Sequence, residues 1–108
     1  MKKTIVVFFG LMATMAGIAL AADVKAGEDA FNKSCKMCHG DKGATPNPGV
    51  AKMFGVPIPV LGSKDVQSKS DAELKTVITQ GKGKMPAAKN VTGSAVDDVI
   101  AYVRTLKE

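Results

Sequence analysis

At 108 residues the chain has room for one domain and excludes a multidomain assembly. Two cysteines exclude a framework of several disulfides, a single histidine excludes a site with paired imidazole ligands, and the absence of tryptophan leaves no aromatic platform for nucleic acid. Fifteen basic against ten acidic residues give a formal charge of +5, which suits acidic partners.

Lys2 and Lys3 open the chain, an apolar run follows from Ile5 to about Leu20, and Ala19-Leu20-Ala21 has the small-x-small pattern of a signal-peptidase site. Residues 1–21 are therefore expected to be a cleaved signal peptide, with cleavage after Ala22 as the alternative. An uncleaved anchor is the competing reading, because Ile5 to Ala22 is 18 residues, but Thr4, Gly10, Thr14 and Gly17 weaken the run as a span. Asp23 stands beyond the run where a lipid anchor would need a cysteine. Residues 22–108 then form one domain, with the formal charge lowered to +3 by loss of Lys2 and Lys3. A domain this small buries limited apolar surface, and such domains often need a staple.

The first predicted helix runs from about Val24 to Cys38, with Asp23 as N-cap, Glu28 and Asp29 near its positive end, and Val24, Gly27, Phe31 and Cys35 as the inward stripe. Gly27 in mid-helix costs about 1 kcal/mol relative to alanine, so it reads as allowing another helix to approach closely. At the end of this helix stands Cys35-Lys36-Met37-Cys38-His39, the C-x-x-C-H attachment signature of c-type haem. Each thiol at that spacing can add across one vinyl group, with His39 as the proximal iron ligand. A thioredoxin-like disulfide would want a βαβ setting, and no strand-like alternation is present. Structural zinc would want four ligands where only Cys35, Cys38 and His39 are offered.

A long connection rich in glycine and proline follows, with one helical turn expected around Val50 to Phe54. Pro57 and Pro59 argue against regular structure there. Its apolar residues Phe54, Val56, Ile58, Val60 and Leu61 make sense if the segment wraps a large apolar ligand. The second helix starts at Ser70, where Ser70-Asp71-Ala72-Glu73 is a capping box, buries Leu74, Val77 and Ile78, and stops at Gly81.

A haem that carries electrons needs a second axial donor. Of the methionines beyond the leader, Met37 lies inside the attachment loop and Met53 follows His39 too closely. Met85, after Gly81-Lys82-Gly83-Lys84 and before Pro86, is the expected ligand, with an open iron site as its rival. The free ring nitrogen of His39 should donate to a backbone carbonyl, for which the loop at Pro46 to Pro48 is the nearest candidate. The third helix runs from Ser94 to about Lys107, with Val96, Val99, Ile100, Val103 and Leu106 inward, Asp97 and Asp98 in its first turn and Arg104 and Lys107 in its last.

With these motifs the chain resembles class I c-type cytochromes of the short bacterial monohaem kind over the whole region from residue 22 onward. The resemblance implies an all-α cytochrome c fold, three main helices plus long loops wrapped around one covalent haem c. It also implies that the first and last helices cross at Gly27 and Val99, that Phe31 meets Tyr102, and that Pro59-Val60-Leu61 lines the haem edge. Mitochondrial-type members use a tryptophan at the haem propionates, which has no counterpart here, so the propionate partners stay open.

The expected function is a periplasmic electron carrier that shuttles single electrons between larger redox proteins, with no catalytic residues. A small haem c subunit of an oxidoreductase complex is the alternative, and a gas-binding or peroxidase-like haem protein a further one. Cys35 and Cys38 are the expected thioether sites, and His39 and Met85 the expected iron ligands. Lys33, Lys36, Lys42, Lys82, Lys84 and Lys89 flank those ligands, either as a basic rim for an acidic docking surface or as ordinary solvated side chains. The mature protein is expected to be a monomer, without nucleic-acid partners and without stable membrane insertion once the leader is cleaved.

Overall fold

The computed structural model describes residues 22–108; residues 1–21, to which the cleaved signal peptide was assigned, lie outside the described residues. Asp23 caps the first helix as its sequence position suggests, accepting a hydrogen bond from the Ala26 amide at 3.0 Å. That helix, α1 (Val24–Ser34), is shorter than the periodicity predicts. Cys35 leaves helical geometry at φ −120°, ψ −29°, and a single turn, α2 (Lys36–His39), carries the rest of the motif on a new axis. Phe31 and Gly27 are buried as expected, but Val24, in the first turn, stays 41 % exposed.

A 3₁₀ turn at Asp41–Gly43 leads into α3 (Pro48–Phe54). This helix begins two residues before the expected turn because Asn47 caps it, accepting from Gly49 and Val50, with Pro48 in its first turn. A short helix with no clear sequence signal, α4 (Lys64–Gln67), precedes α5 (Asp71–Gln80). The capping box of α5 is formed, with Ser70 Oγ accepting from the Glu73 amide at 3.1 Å and the Glu73 carboxylate reaching back to Ser70. The last helix, α6 (Ser94–Thr105), stops two residues short of the expected end. The described residues contain no strand, only a lone bridge between Lys82 and Met85, and no helix among them is long and apolar enough to cross a membrane.

The fold is organised by the crossing of α1 and α6. A Cβ on Gly27 would lie 1.9 Å from the Asp98 carbonyl oxygen, so only glycine permits this approach. The Asp23 amide donates to the Asp98 carboxylate at 2.8 Å, which ties the start of α1 to α6. Beside the crossing, the Phe31 and Tyr102 rings sit 5.3 Å apart at 56°, a tilted pair worth about 0.5–1.5 kcal/mol beyond its buried area. The core continues through Leu74, Ile78, Val96, Val99, Ile100 and Val103, with Val66 and Val91 closing its ends.

Tyr102 is the only tyrosine and is buried. Burial first, and then the carboxylates of Glu28 and Asp41, push its phenol above the ordinary value of 10.0. The folded state thus favours the neutral phenol. The stability this contributes is present below pH 10 and is lost as pH rises through the raised value. An alkaline absorbance titration, with Tyr102→Phe as the blank, should place ionisation above 10. The Tyr102→Phe protein should lose less stability than the wild type across that window.

Candidate functional site

Cys35, Cys38, His39 and Met85, spread over fifty residues of sequence, all line one cavity of about 450 Å³. Each reaches it for a local reason. The break at Cys35 and the turn of α2 place both thiols and the imidazole on the cavity side. Asn47 holds that turn from outside: its amide donates to the Cys38 carbonyl at 3.0 Å and its side chain to the Met37 carbonyl at 3.2 Å. Met85 is held by a closed turn in which its amide donates to the Lys82 carbonyl at 2.9 Å and the Lys82 amide donates back at 3.0 Å. Gly81, at φ +79°, allows that turn, since a Cβ there would meet the Met85 carbonyl oxygen at 2.6 Å. Thus Gly81 accommodates the backbone of the Met85 loop itself. Met37 and Met53, the other two thioethers considered, point away from the cavity and are 78 % and 72 % exposed.

The walls are apolar. The faces of α5 and α6 supply Leu74, Ile78, Val99 and Val103, and the long connection supplies Phe54 and Ile58. The connection is therefore wrapped against the site, as its apolar content suggested, although Val56 remains largely exposed at the rim. Of the Pro59-Val60-Leu61 segment that the resemblance places at the haem edge, Pro59 and Leu61 line the cavity and Val60 does not.

His39 is 9 % exposed and is the one buried polar side chain of the described core. Burial holds its imidazole below the ordinary 6.5, with the Pro59 carbonyl acting in the opposite direction. Its Nδ1 is buried and makes no hydrogen bond of good geometry. The carbonyl that acts on the ring thus belongs to Pro59, and not to the Pro46 to Pro48 loop. The Leu61 amide binds the Gly43 carbonyl at 3.1 Å and folds the later proline segment back over α2. Cys35 and Cys38 are free thiols. Burial, and then the neighbouring Cys38, push the Cys35 thiol up to about 11.

The charged and titratable residues of the lining are the two cysteines, His39 and three lysines, Lys69, Lys82 and Lys84, with no carboxylate. Of the six lysines suggested by proximity in sequence, only Lys82 and Lys84 reach the cavity. Lys33 lies on another face of α1, beside Asn90, and Lys36 pairs with Asp41 at 3.9 Å. Lys69 escapes a search by proximity in sequence because it lies far along the chain from both His39 and Met85.

A large, flat, mostly apolar group bearing negative charge fits these features. Two thiols can tether it, one nitrogen and one soft sulfur donor are available to a metal at its centre, and the lysines match the charge. Haem c meets each requirement, whereas the lining offers a zinc ion only three of the four ligands a structural site wants.

The comparisons with known proteins agree. Residues 22–103 match the family model described as cytochrome C oxidase, cbb3-type, subunit III. A cytochrome c6 of Synechocystis sp. is 32 % identical over 101 residues, covering 90 % of this chain and 77 % of that protein. A cytochrome c6 of Gloeothece citriformis is 33 % identical over 90 residues, covering 79 % of this chain and 73 % of that one. The solved structure of the c-type cytochrome KustC0563 superposes with a TM-score of 0.63 at 24 % identity, over 76 % of this chain and 98 % of that one, a likeness of fold.

Proposed function

This chain belongs to the small class I c-type cytochromes, electron carriers built on covalent haem c, and from that premise we propose that it is a periplasmic shuttle passing single electrons between larger redox proteins. The observation that carries the reading is the convergence of Cys35, Cys38, His39 and Met85 on one apolar cavity. There Cys35 and Cys38 would hold the haem as thioethers, and His39 and Met85 would supply the nitrogen and sulfur ligands of its iron. When bound, the haem supplies an iron centre that gains or loses one electron.

The chain's own residues set the terms of that exchange. Met85 Sδ, a soft donor, would favour the reduced iron and so raise the potential. His39 and Met85 would offer the iron one donor each in either redox state, and the apolar walls of α5 and α6 would keep water away. Lys82 and Lys84 at the mouth, exposed and without ion pairs among the described residues, suit an acidic docking surface on the partner. Residues 1–21 act as the export leader, cleaved after Ala21, and the mature protein works as a monomer.

Met85→Ala tests the assignment. The variant should bind carbon monoxide rapidly and stoichiometrically in the ferrous state and have a lower midpoint potential, while the wild type binds it poorly. An unchanged spectrum and potential would refute Met85 as ligand. Rapid binding by the wild type would favour a gas-binding site.

A second reading has one observation behind it, the matching family description, which names an oxidase subunit. Under that reading the domain works inside a larger complex, and native mass measured on material from its source separates the two.

A further inference from the structure

We infer that Lys69 is the counter-ion of the haem propionates and that Arg104 is the residue that positions it. The inference rests on the haem reading of the same cavity and concerns the one part of it that no tryptophan can serve. The haem carries two carboxylates, and a carboxylate entering a cavity walled by valine, leucine and isoleucine needs an opposite charge beside it. The lining offers only three such groups. Lys82 and Lys84 are exposed to solvent, whereas Lys69 is half-buried. A lysine held against the cavity wall is screened less than one standing in solvent, so Lys69 is the one of the three best placed to act on a carboxylate.

The backbone holds Lys69 in place from both sides. Its amide donates to the Val66 carbonyl at 3.1 Å, and its carbonyl accepts from Arg104 Nη2 at 2.6 Å. Arg104 Nη1 also donates to the Gln67 carbonyl at 2.9 Å, and the Gln67 side chain bridges the carbonyls of Leu61 and Val103, both at 2.9 Å. The segment from Leu61 to Lys69 is thereby bolted to α6. The Arg104 guanidinium further occupies the carboxylate of Asp71, at 3.1 Å from Nε and 2.8 Å from Nη2. Asp71, two residues beyond Lys69, is the nearest acid in sequence after it, and Asp65 lies four residues before it. Neither pairs with Lys69, which forms no ion pair among the described residues. Arg104 therefore fixes the lysine's backbone and withholds its natural competitor, leaving the ammonium for the cofactor.

The test is the midpoint potential of the mature haem protein against pH. Potential falls with pH where a propionate titrates, and a lysine beside it keeps that titration low. The other titratable groups facing the cavity are Cys35, Cys38, His39, Lys82 and Lys84, and Cys35, Cys38 and His39 are taken up by the haem. In Lys69→Gln the fall should begin roughly one pH unit higher, a tenfold change in proton affinity. Lys69→Arg should restore the wild-type profile, and Lys33→Gln, which removes the same charge from another face, should leave it in place. Arg104→Lys, which keeps its charge but cannot span three acceptors, should shift the profile in the direction of Lys69→Gln. A Lys69→Gln profile no different from that of Lys33→Gln overturns the inference while leaving the haem assignment intact. Should Lys69→Gln fail to mature, Lys69→Arg decides: it must mature and match the wild type, and any other profile overturns the proposal. A wild-type protein without haem would instead sink the functional reading itself.

Discussion

Cys35→Ala combined with Cys38→Ala is expected to give a chain whose haem is fully extracted by acid-acetone and whose far-ultraviolet circular dichroism is largely that of an unfolded polypeptide. The reason lies in where the core residues stand. Val66, Leu74, Ile78, Val99, Ile100 and Val103 belong to the hydrophobic core and also line the cavity. The core is thus a shell around the cofactor, and without it those side chains lose their partners on one side. At about 24 cal/mol per Å³, a dry cavity of about 450 Å³ costs on the order of 10 kcal/mol. That is the size of the whole stability of a small domain, about 5–15 kcal/mol. Collapse or flooding of the cavity lowers this figure but destroys the arrangement of ligands. Haem that survives extraction in the double variant would refute the thioether assignment. A native-like dichroism spectrum of haem-free material would show that the helices do not need the cofactor.

Gly27→Ala should be the second most damaging change, and it reverses the usual sign. In an ordinary helix interior alanine is favoured over glycine by about 1 kcal/mol. Here the added Cβ would stand 1.9 Å from the oxygen and 2.4 Å from the carbon of the Asp98 carbonyl, both backbone atoms of α6. No rotamer relieves such a clash, so α1 and α6 must separate by more than 1 Å. Separation would loosen the Phe31–Tyr102 contact and the hydrogen bond from the Asp23 amide to Asp98. Overpacking of this kind costs about 1–3 kcal/mol or more. In a domain of fewer than a hundred residues each kcal/mol moves the melting temperature by about 4–8 °C. A loss of roughly 10–20 °C, followed by thermal denaturation of the haem-loaded protein, is the expected outcome. A variant as stable as the wild type would mean that the helices do not cross as closely as described.

Both predictions draw on features visible in the sequence to different degrees. Gly27 stood out as a helix-weakening residue on an apolar stripe, and the resemblance paired it with the last helix, but only the packed chain shows that Asp98 is the residue it meets. The C-x-x-C-H motif was legible because attachment and ligation need fixed residues at fixed spacing. The motif did not announce the break at Cys35, because periodicity reads through a single residue whose backbone turns aside. Helix α4 was hidden for another reason: four residues carry too little periodicity to be distinguished from loop.

Local chemistry, read in order, determined the three longer helices, the N-caps of the first two at Asp23 and Ser70, and the need for a large apolar ligand between them. These depend on neighbours three or four residues apart, and such neighbours are visible in the chain. The tertiary path alone decided that Pro59 and not the earlier proline loop bears on His39, and that Lys69 and not Lys33 faces the cavity. It also decided that Arg104, more than thirty residues away, holds Gln67, Lys69 and Asp71. Contacts of that range follow from how the helices and the wrapped connection close around one centre, and no local pattern encodes which carbonyl will meet which donor.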